Sequence, residues 1–372
     1  MPNKTKTIPS IQISWAEDSD NKGVLELSPR CIQAGIISMY PDRSPQFNRM
    51  HRLLDQKSYH AIAKSADRVV GLLGVLHFDL YFRDEPLRTA YFLDFRLDPD
   101  FRQGITAYRI VKPVLERERN SGVRLGLATL LKNNEAPMAF TKGRGGIPAS
   151  LYLGDNKIFN IVPIRFRRPD PRFSIGVPEP GDIPELVALY NRFYSKYRLA
   201  PRITEEQLLA YTREIRGLDL SAFRVARLDG KIKAVVAAWD EEPFKRYWVT
   251  RKQLPIRLVT TLIRLVSLFT RMPARISNNQ PLPQLTLALW AHDDSTAALA
   301  SLIRSINNEN LGGKYSLIQI HIHEDDPAME ALRGLTGITI RNEVHLFTDT
   351  LQLAREIQGG KGPVHLEFPG YI

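Results

Sequence analysis

Residues 97–107 read LDPDFRQGITA, placing an arginine, a glycine and small residues between the end of an apolar strand pattern and a long helical one. A strand that enters a helix through such a turn leaves the first helical N–H groups without partners, and those groups attract anions. The chemistry expected is capture of a phosphate-bearing ligand. Just upstream, Asp94 stands in YFLDFRL, where apolar neighbours would raise its pKa by desolvation and make it a candidate proton acceptor. The alternative is a pair with Arg96, two residues on and therefore on the same strand face. Asp79 and Glu85, on the preceding strand and loop, are carboxylates in reserve.

The chain around this turn has 372 residues, 43% hydrophobic and 24% charged, a soluble globular composition with length for about two domains. The amino terminus, MPNKTKTIPS, lacks the apolar core of a signal peptide, and no run of about 18 apolar residues occurs. Cys31 is the single cysteine, which excludes an internal disulfide and a cysteine-based metal cluster, and its apolar surroundings predict a buried structural role. The cytoplasm is the expected compartment. The formal charge is +11, and much of the excess is local: eight basic residues and no acidic one lie between Pro243 and Arg275. Within that stretch Leu258, Leu262, Leu265 and Phe269 recur at helical spacing, while Arg257, Arg264 and Arg271 fall seven apart, the pattern of a basic amphipathic helix.

The elements that must position the turn repeat once. Strand, SAD turn and long apolar strand (Val69 to Phe82) precede the strand TAYFLDFRL, a helix from about Ile105 to Asn120 stopped by Gly122, and the buried strand VRLGLATLL. Pro113 predicts a kink in that helix. In the second half AFRVARLDGKIKAVVAAW is a hairpin turned by Asp229 and Gly230, followed by the strand QLTLALWAHD, a helix from Ser295 to Asn310 and the strand YSLIQIHIH. Ala226 follows Ala63 by 163 residues and Tyr315 follows Val123 by 192; the difference, about 29, is close to the length of the basic stretch. A duplication with one insertion accounts for both spacings. The joint is expected in PIRFRRPDPRFSIG, giving domains at 1–168 and 173–372 with the insertion at about 243–275.

This order of elements resembles the GNAT acyltransferases, the GCN5-related N-acetyltransferase superfamily, twice in tandem. The resemblance implies an α/β fold of α+β type, each domain a mixed, mainly antiparallel sheet flanked by helices. It also implies a pyrophosphate-binding turn of the form Gln/Arg-x-x-Gly-x-Gly/Ala. With Arg102 in first place the central glycine falls on Ile105 and the last small residue on Ala107; with one residue lost, Gly104 is central and Thr106 last. The coenzyme residues implied are Leu97, Arg102, Gln103, Gly104, Ile105, Thr106 and Ala107, with Asn134 from KNNEAPMAF. The corresponding turn of the second half, HDDSTAAL, offers Asp293 and Asp294, whose charge would repel pyrophosphate and which suit helix capping instead.

Transfer from a thioester needs a deprotonated amine, an oxyanion donor and a proton for the leaving thiolate, with no covalent nucleophile. The resemblance implies a thiolate-protonating tyrosine after the fifth strand; Phe140 and Thr141 occupy that neighbourhood, and Tyr152 is the substitute considered. His321 and His323, followed by Glu324, Asp325 and Asp326, share a strand face but lack an assured third ligand, so no metal is expected. No GxGxxG, Walker loop or nucleophile elbow occurs. The function expected is transfer of an acetyl group from acetyl-CoA, or of another acyl group from its CoA ester, to a small-molecule or peptide amine, with the second domain closing the acceptor cleft. The alternative is a non-catalytic GNAT-like module that engages an anionic partner or a membrane surface through the basic insertion; nucleic acid is the less favoured partner. That helix is expected to pack between the domains.

Overall fold

Val69 to Leu76 is an unbroken apolar run, and a strand buried on both faces is what such a run forms. The computed structural model describes residues 10–102, 105–132, 141–143, 147–253 and 273–365. In the first half the strands are β1 (Ile11–Trp15), β2 (Ile37–Asp42), β3 (Tyr59–Ser65), β4 (Arg68–Phe82), β5 (Glu85–Leu97), β6 (Leu125–Leu131) and β7 (Leu151–Ile161). The second half has β8 (Ser174–Gly176), β9 (Phe223–Leu228), β10 (Lys231–Trp239), β11 (Arg246–Lys252), β12 (Gln280–Pro281), β13 (Gln284–His292), β14 (Leu317–His323) and β15 (Gly337–Phe347). The helices are α1 (Asn21–Leu27), α2 (Arg49–Leu54), α3 (Thr106–Asn120), α4 (Ile183–Tyr194), α5 (Glu205–Glu214), α6 (Thr296–Glu309) and α7 (Leu351–Gln358). None of the described helices is long and apolar enough to cross a membrane.

Among the described residues, twelve strands form one sheet in the order β1-β3-β4-β5-β6-β15-β7-β14-β13-β10-β9-β8. Each half contributes an antiparallel meander that ends in a parallel pair, β5 with β6 and β13 with β14. The halves then exchange strands. β7 of the first half lies beside β14 of the second, and β15 of the second lies beside β6 of the first. A cut between residues 168 and 173 would separate both pairs. A second, three-stranded sheet also joins the halves, with β11 at its centre between β2 and β12. The start of the basic stretch is therefore a strand, Arg246–Lys252, and the helix expected over residues 256–272 lies outside the described residues.

The turn and helix positions follow local rules. Asp229 and Gly230 both take positive φ, 52° and 77°, as a tight hairpin requires. α3 runs through Pro113 and is followed by Gly122 at φ 78°. α3 lies close on the sheet because Gly71 has no side chain: a Cβ there would stand 2.5 Å from Ile110 Cδ1. Ile110 and Val114 of α3 are fully buried against Ala61, Ala63, Val70, Leu73, Val75 and Ala90. On the opposite face α1 covers Ile62, Val69 and Leu72 through Val24 and Leu27, and Cys31 packs with them, 6% exposed.

Candidate active site

The site is built by a fault in β5. Gly74 pairs with Leu93 and Leu72 with Arg96, so Asp94 and Phe95 together oppose Leu73 alone. This β-bulge puts Asp94 at φ 52°, a left-handed conformation uncommon outside glycine. Parallel pairing of β5 with β6 runs from Thr89–Leu125 to Phe92–Ala128 and stops there, while β6 continues against β15 as far as Leu131. The two strands thus part just before the bulge and leave a wedge between Leu93–Leu97 and the end of β6. At its apex, Tyr91 hydroxyl and Thr129 Oγ1 are 2.6 Å apart on one face, and Phe92 meets Phe347 edge to face with centroids 6.1 Å apart.

Leu97 ends β5 and leads into the turn. Asp98, 1% exposed, accepts a hydrogen bond from Asp100 N and ion pairs from Arg30 and Arg68, fixing the short helical turn at Pro99–Phe101. Arg102 follows, its Nε donating to Leu97 O at 3.2 Å, which draws the guanidinium back over the strand end. Gln103, Gly104 and Asn134 lie outside the described residues. Ile105, 68% exposed, is the residue before α3 and supplies no side-chain cap; Thr106 is buried and Ala107 half-buried. The first amides of α3 therefore have no side-chain acceptor from the N-cap position. The second half differs here. Ser295 Oγ accepts from Ala297 N at 3.3 Å and caps α6, while Asp293 and Asp294 are ion-paired with Lys233 and Lys196. The capping expected of the two aspartates falls to Ser295, which immediately precedes the first helical residue.

Asp94 does not stand among apolar residues alone. Its carboxylate faces Arg43 Nε at 3.0 Å and is also paired with Arg96. Burial raises the carboxyl pKa, but Arg43 and Arg96 lower it more, and the group is held well below the usual carboxylate range. Beside it His51 and His60 stack, Nδ1 to Nε2 at 2.9 Å, both almost wholly buried. Desolvation, with the charge of Arg43 and other arginines, keeps both neutral, His60 at about 4. Asp79 pairs with Arg88 at the exposed end of the β4–β5 hairpin, and Glu85 lies at that same end. Tyr152 donates to Asp155 at 2.7 Å; burial and the two carboxylates, Asp155 and Glu324, push its hydroxyl pKa up.

The histidine pair of β14 is also committed elsewhere. His323 Nε2 stands 3.0 Å from Leu153 O and its Nδ1 accepts from Asp325 N, while His321 Nδ1 lies 3.4 Å from Asn156 Nδ2. Glu324 accepts from Asp155 N, and Asp326 caps the following turn through Ala328 N. Sequence reading missed Arg43, His51, His60, Glu241 and Lys245. Each approaches from an element distant in sequence, and the β2–β11 pairing helps bring the last two near Arg43.

No family model and no curated protein sequence matches the chain. Solved structures do. Saccharomyces cerevisiae N-myristoyltransferase with bound myristoyl-CoA superposes with a TM-score of 0.61 at 11% identity, over 90% of this chain and 82% of that one. A GCN5-related N-acetyltransferase from Kribbella flavida gives 0.51 at 11% identity over 91% and 70%. An Enterococcus faecalis protein described as a probable N-acyltransferase gives 0.51 at 11% identity over 92% and 74%. The chain therefore has the mixed α/β, GNAT-like fold of these solved structures.

Proposed function

We propose that this protein is an acyl-CoA-dependent N-acyltransferase, with acetyl-CoA as donor and an amine as acceptor. The observation that carries the reading is the wedge between β5 and β6 beside the uncapped start of α3. Coenzyme phosphates would lie against the α3 amides and Arg102, with Leu97 at the strand end and Ile105, Thr106 and Ala107 at the helix start. The pantetheine arm would run along the edge of β5 beyond Phe92, which pairs with no strand on that side among the described residues, taking backbone hydrogen bonds as an added strand does. Two features support a short acyl group: the Tyr91–Thr129 contact and the Phe92–Phe347 contact close the apex from both faces. The second half is not expected to bind coenzyme, because Ser295 already caps α6 and two aspartates stand at its start.

Asp94 is placed for a proton acceptor at the bulge, where the wedge opens. Its two arginines oppose that role, since a carboxylate held so strongly ionised is a weak base. Position and electrostatics thus point in different directions, and Asp94→Asn decides between them. The thioester carbonyl would find an oxyanion donor among the β5 amides beyond the bulge. The reading that the chain is a non-catalytic anionic-surface module makes a distinct forecast, coenzyme-independent binding to anionic vesicles. Coenzyme-dependent thiol release across a panel of amines, measured on the full chain, tests the enzymatic reading; release with no amine above the uncatalysed rate would reject it.

A further inference from the structure

The joint between the halves, IRFRRPDPRF at residues 164–173, carries four arginines, no lysine and one acidic residue. Residues 162–173 join no strand or helix, yet α6 holds their backbone in place. Asn308 Oδ1 accepts from Arg167 N at 2.8 Å, and Asn308 Nδ2 donates to Arg167 O at 2.6 Å. Asn307 Nδ2 donates to Arg165 O at 3.0 Å, and Ser301 Oγ accepts from Asp170 N at 3.0 Å. With these main-chain groups engaged by the helix, the side chains are what the segment offers to a partner.

Those side chains are cationic around one aromatic ring. Phe166 is 63% exposed and belongs to none of the apolar clusters among the described residues. Arg165 and Arg168 beside it are exposed and Arg167 is half-buried. Asp170 neutralises Arg172 at 2.6 Å, whereas Arg165, Arg167 and Arg168 have no ion pair among the described residues. A depression of about 230 Å³ adjoins the segment, its lining including Asp170, Arg304, Glu330 and Arg333. Arg304 Nη1 lies 3.5 Å from Arg168 O and so links the depression to the linker.

Arginine in place of lysine suits planar phosphate recognition, and an exposed ring on a fixed backbone is a platform for a base. A lipid surface is the lesser fit, because only Ile164 and Phe166 among these side chains are apolar and the depression carries carboxylates that anionic headgroups would repel. The same carboxylates accept from ribose hydroxyls, which favours RNA over DNA. We propose that the linker is a docking surface for single-stranded RNA. Arg165, Arg167, Arg168 and Arg304 meet phosphates, Phe166 stacks on a base, and the Asp170–Glu330 side of the depression takes a ribose hydroxyl. The formal charge of +11 adds long-range attraction. This binding is separate from acyl transfer and rests on none of the residues assigned to it.

The test is fluorescence anisotropy of labelled oligouridylate titrated with the full chain over a range of salt concentrations. Saturable binding is expected, weakening with salt at a logarithmic slope of about 3, from about 0.7 per phosphate met by four arginines. Charge reversal at Arg165→Glu with Arg168→Glu should raise Kd about tenfold or more and flatten that slope. Phe166→Ala should raise Kd about fivefold or more with the slope unchanged, the loss of one stacked base. Arg251→Glu, in the separate basic stretch, should leave binding as it is. No saturable binding at low salt, full affinity in either linker variant, oligothymidylate bound as tightly as oligouridylate, or loss confined to Arg251→Glu would each overturn the proposal. So would sedimentation with phosphatidylserine vesicles that is lost in the linker variants, which would assign the surface to lipid. Should a variant not fold, ultraviolet crosslinking of oligouridylate to the natural chain must place the adduct on the peptide that contains Phe166; an adduct only elsewhere, or none, rejects the proposal.

Discussion

Asp94 in β5 and Leu289 in β13 occupy equivalent places in the two halves. Each has a left-handed φ, 52° and 45°. Each follows the last residue of its parallel ladder by two, Phe92 in one and Leu287 in the other. Each lies where its strand carries one residue more than its antiparallel partner. The same kind of bulge thus occurs in both halves with different chemistry: a carboxylate under two arginines in the first half, and in the second a leucine 4% exposed within the main core.

Asp94→Asn separates the roles of that carboxylate. If it accepts the amine proton, turnover should fall roughly 10²–10⁴-fold with coenzyme affinity retained. Loss of the charge also leaves Arg43 and Arg96 buried with their shared partner gone, which should cost about 3–5 kcal/mol in denaturant melts. A stability loss with full turnover in the folded fraction would assign Asp94 to structure alone.

His77 predicts a pH dependence of stability. Burial lowers its pKa, but hydrogen bonds and charges from Asp55 and Glu118 outweigh that and push it up to about 9. The folded value exceeds the unfolded one of about 6.5, so the contribution is complete below that pH and lost as pH rises through 9. Melting temperature should decline between about pH 6.5 and 9, and His77→Gln should flatten this decline. An identical pH profile in the variant would show that the ion pairs add nothing.

The exchanged strands predict mutual dependence of the halves. Residues 1–168 alone would present β6 and β7 without β15 between them, and residues 173–372 alone would lack β7 beside β14. Unpaired central edges favour association. Fragments expressed together should copurify as a 1:1 complex with native circular dichroism, whereas two separately folded monomers would contradict the exchange.

Much of the architecture was legible because it rests on short-range pattern. The hairpin at Asp229-Gly230, α3 with its stop at Gly122, and the strands β4, β5, β6, β9, β10, β13 and β14 all follow from periodicity and turn residues. The exchange of β7 and β15 was not legible, since a strand's alternation fixes its faces and says nothing of which edge it joins. The bulge at Asp94 left no sequence mark because no glycine stands at its positive φ. Lys245 read only as one of eight basic residues between Pro243 and Arg275, yet it is buried against Glu241, four residues earlier, in a turn closed by the Lys245 N to Glu241 O bond.

Titration calorimetry of acetyl-CoA into the full chain tests the central claim most directly. One site per chain is expected, and Arg102→Glu should weaken it by setting a like charge beside the phosphates, while Ser295→Ala should leave it unchanged and cost about 1 kcal/mol of stability through loss of the α6 cap. Absence of binding, or affinity indifferent to Arg102→Glu but lost in Ser295→Ala, would contradict a coenzyme site at the start of α3.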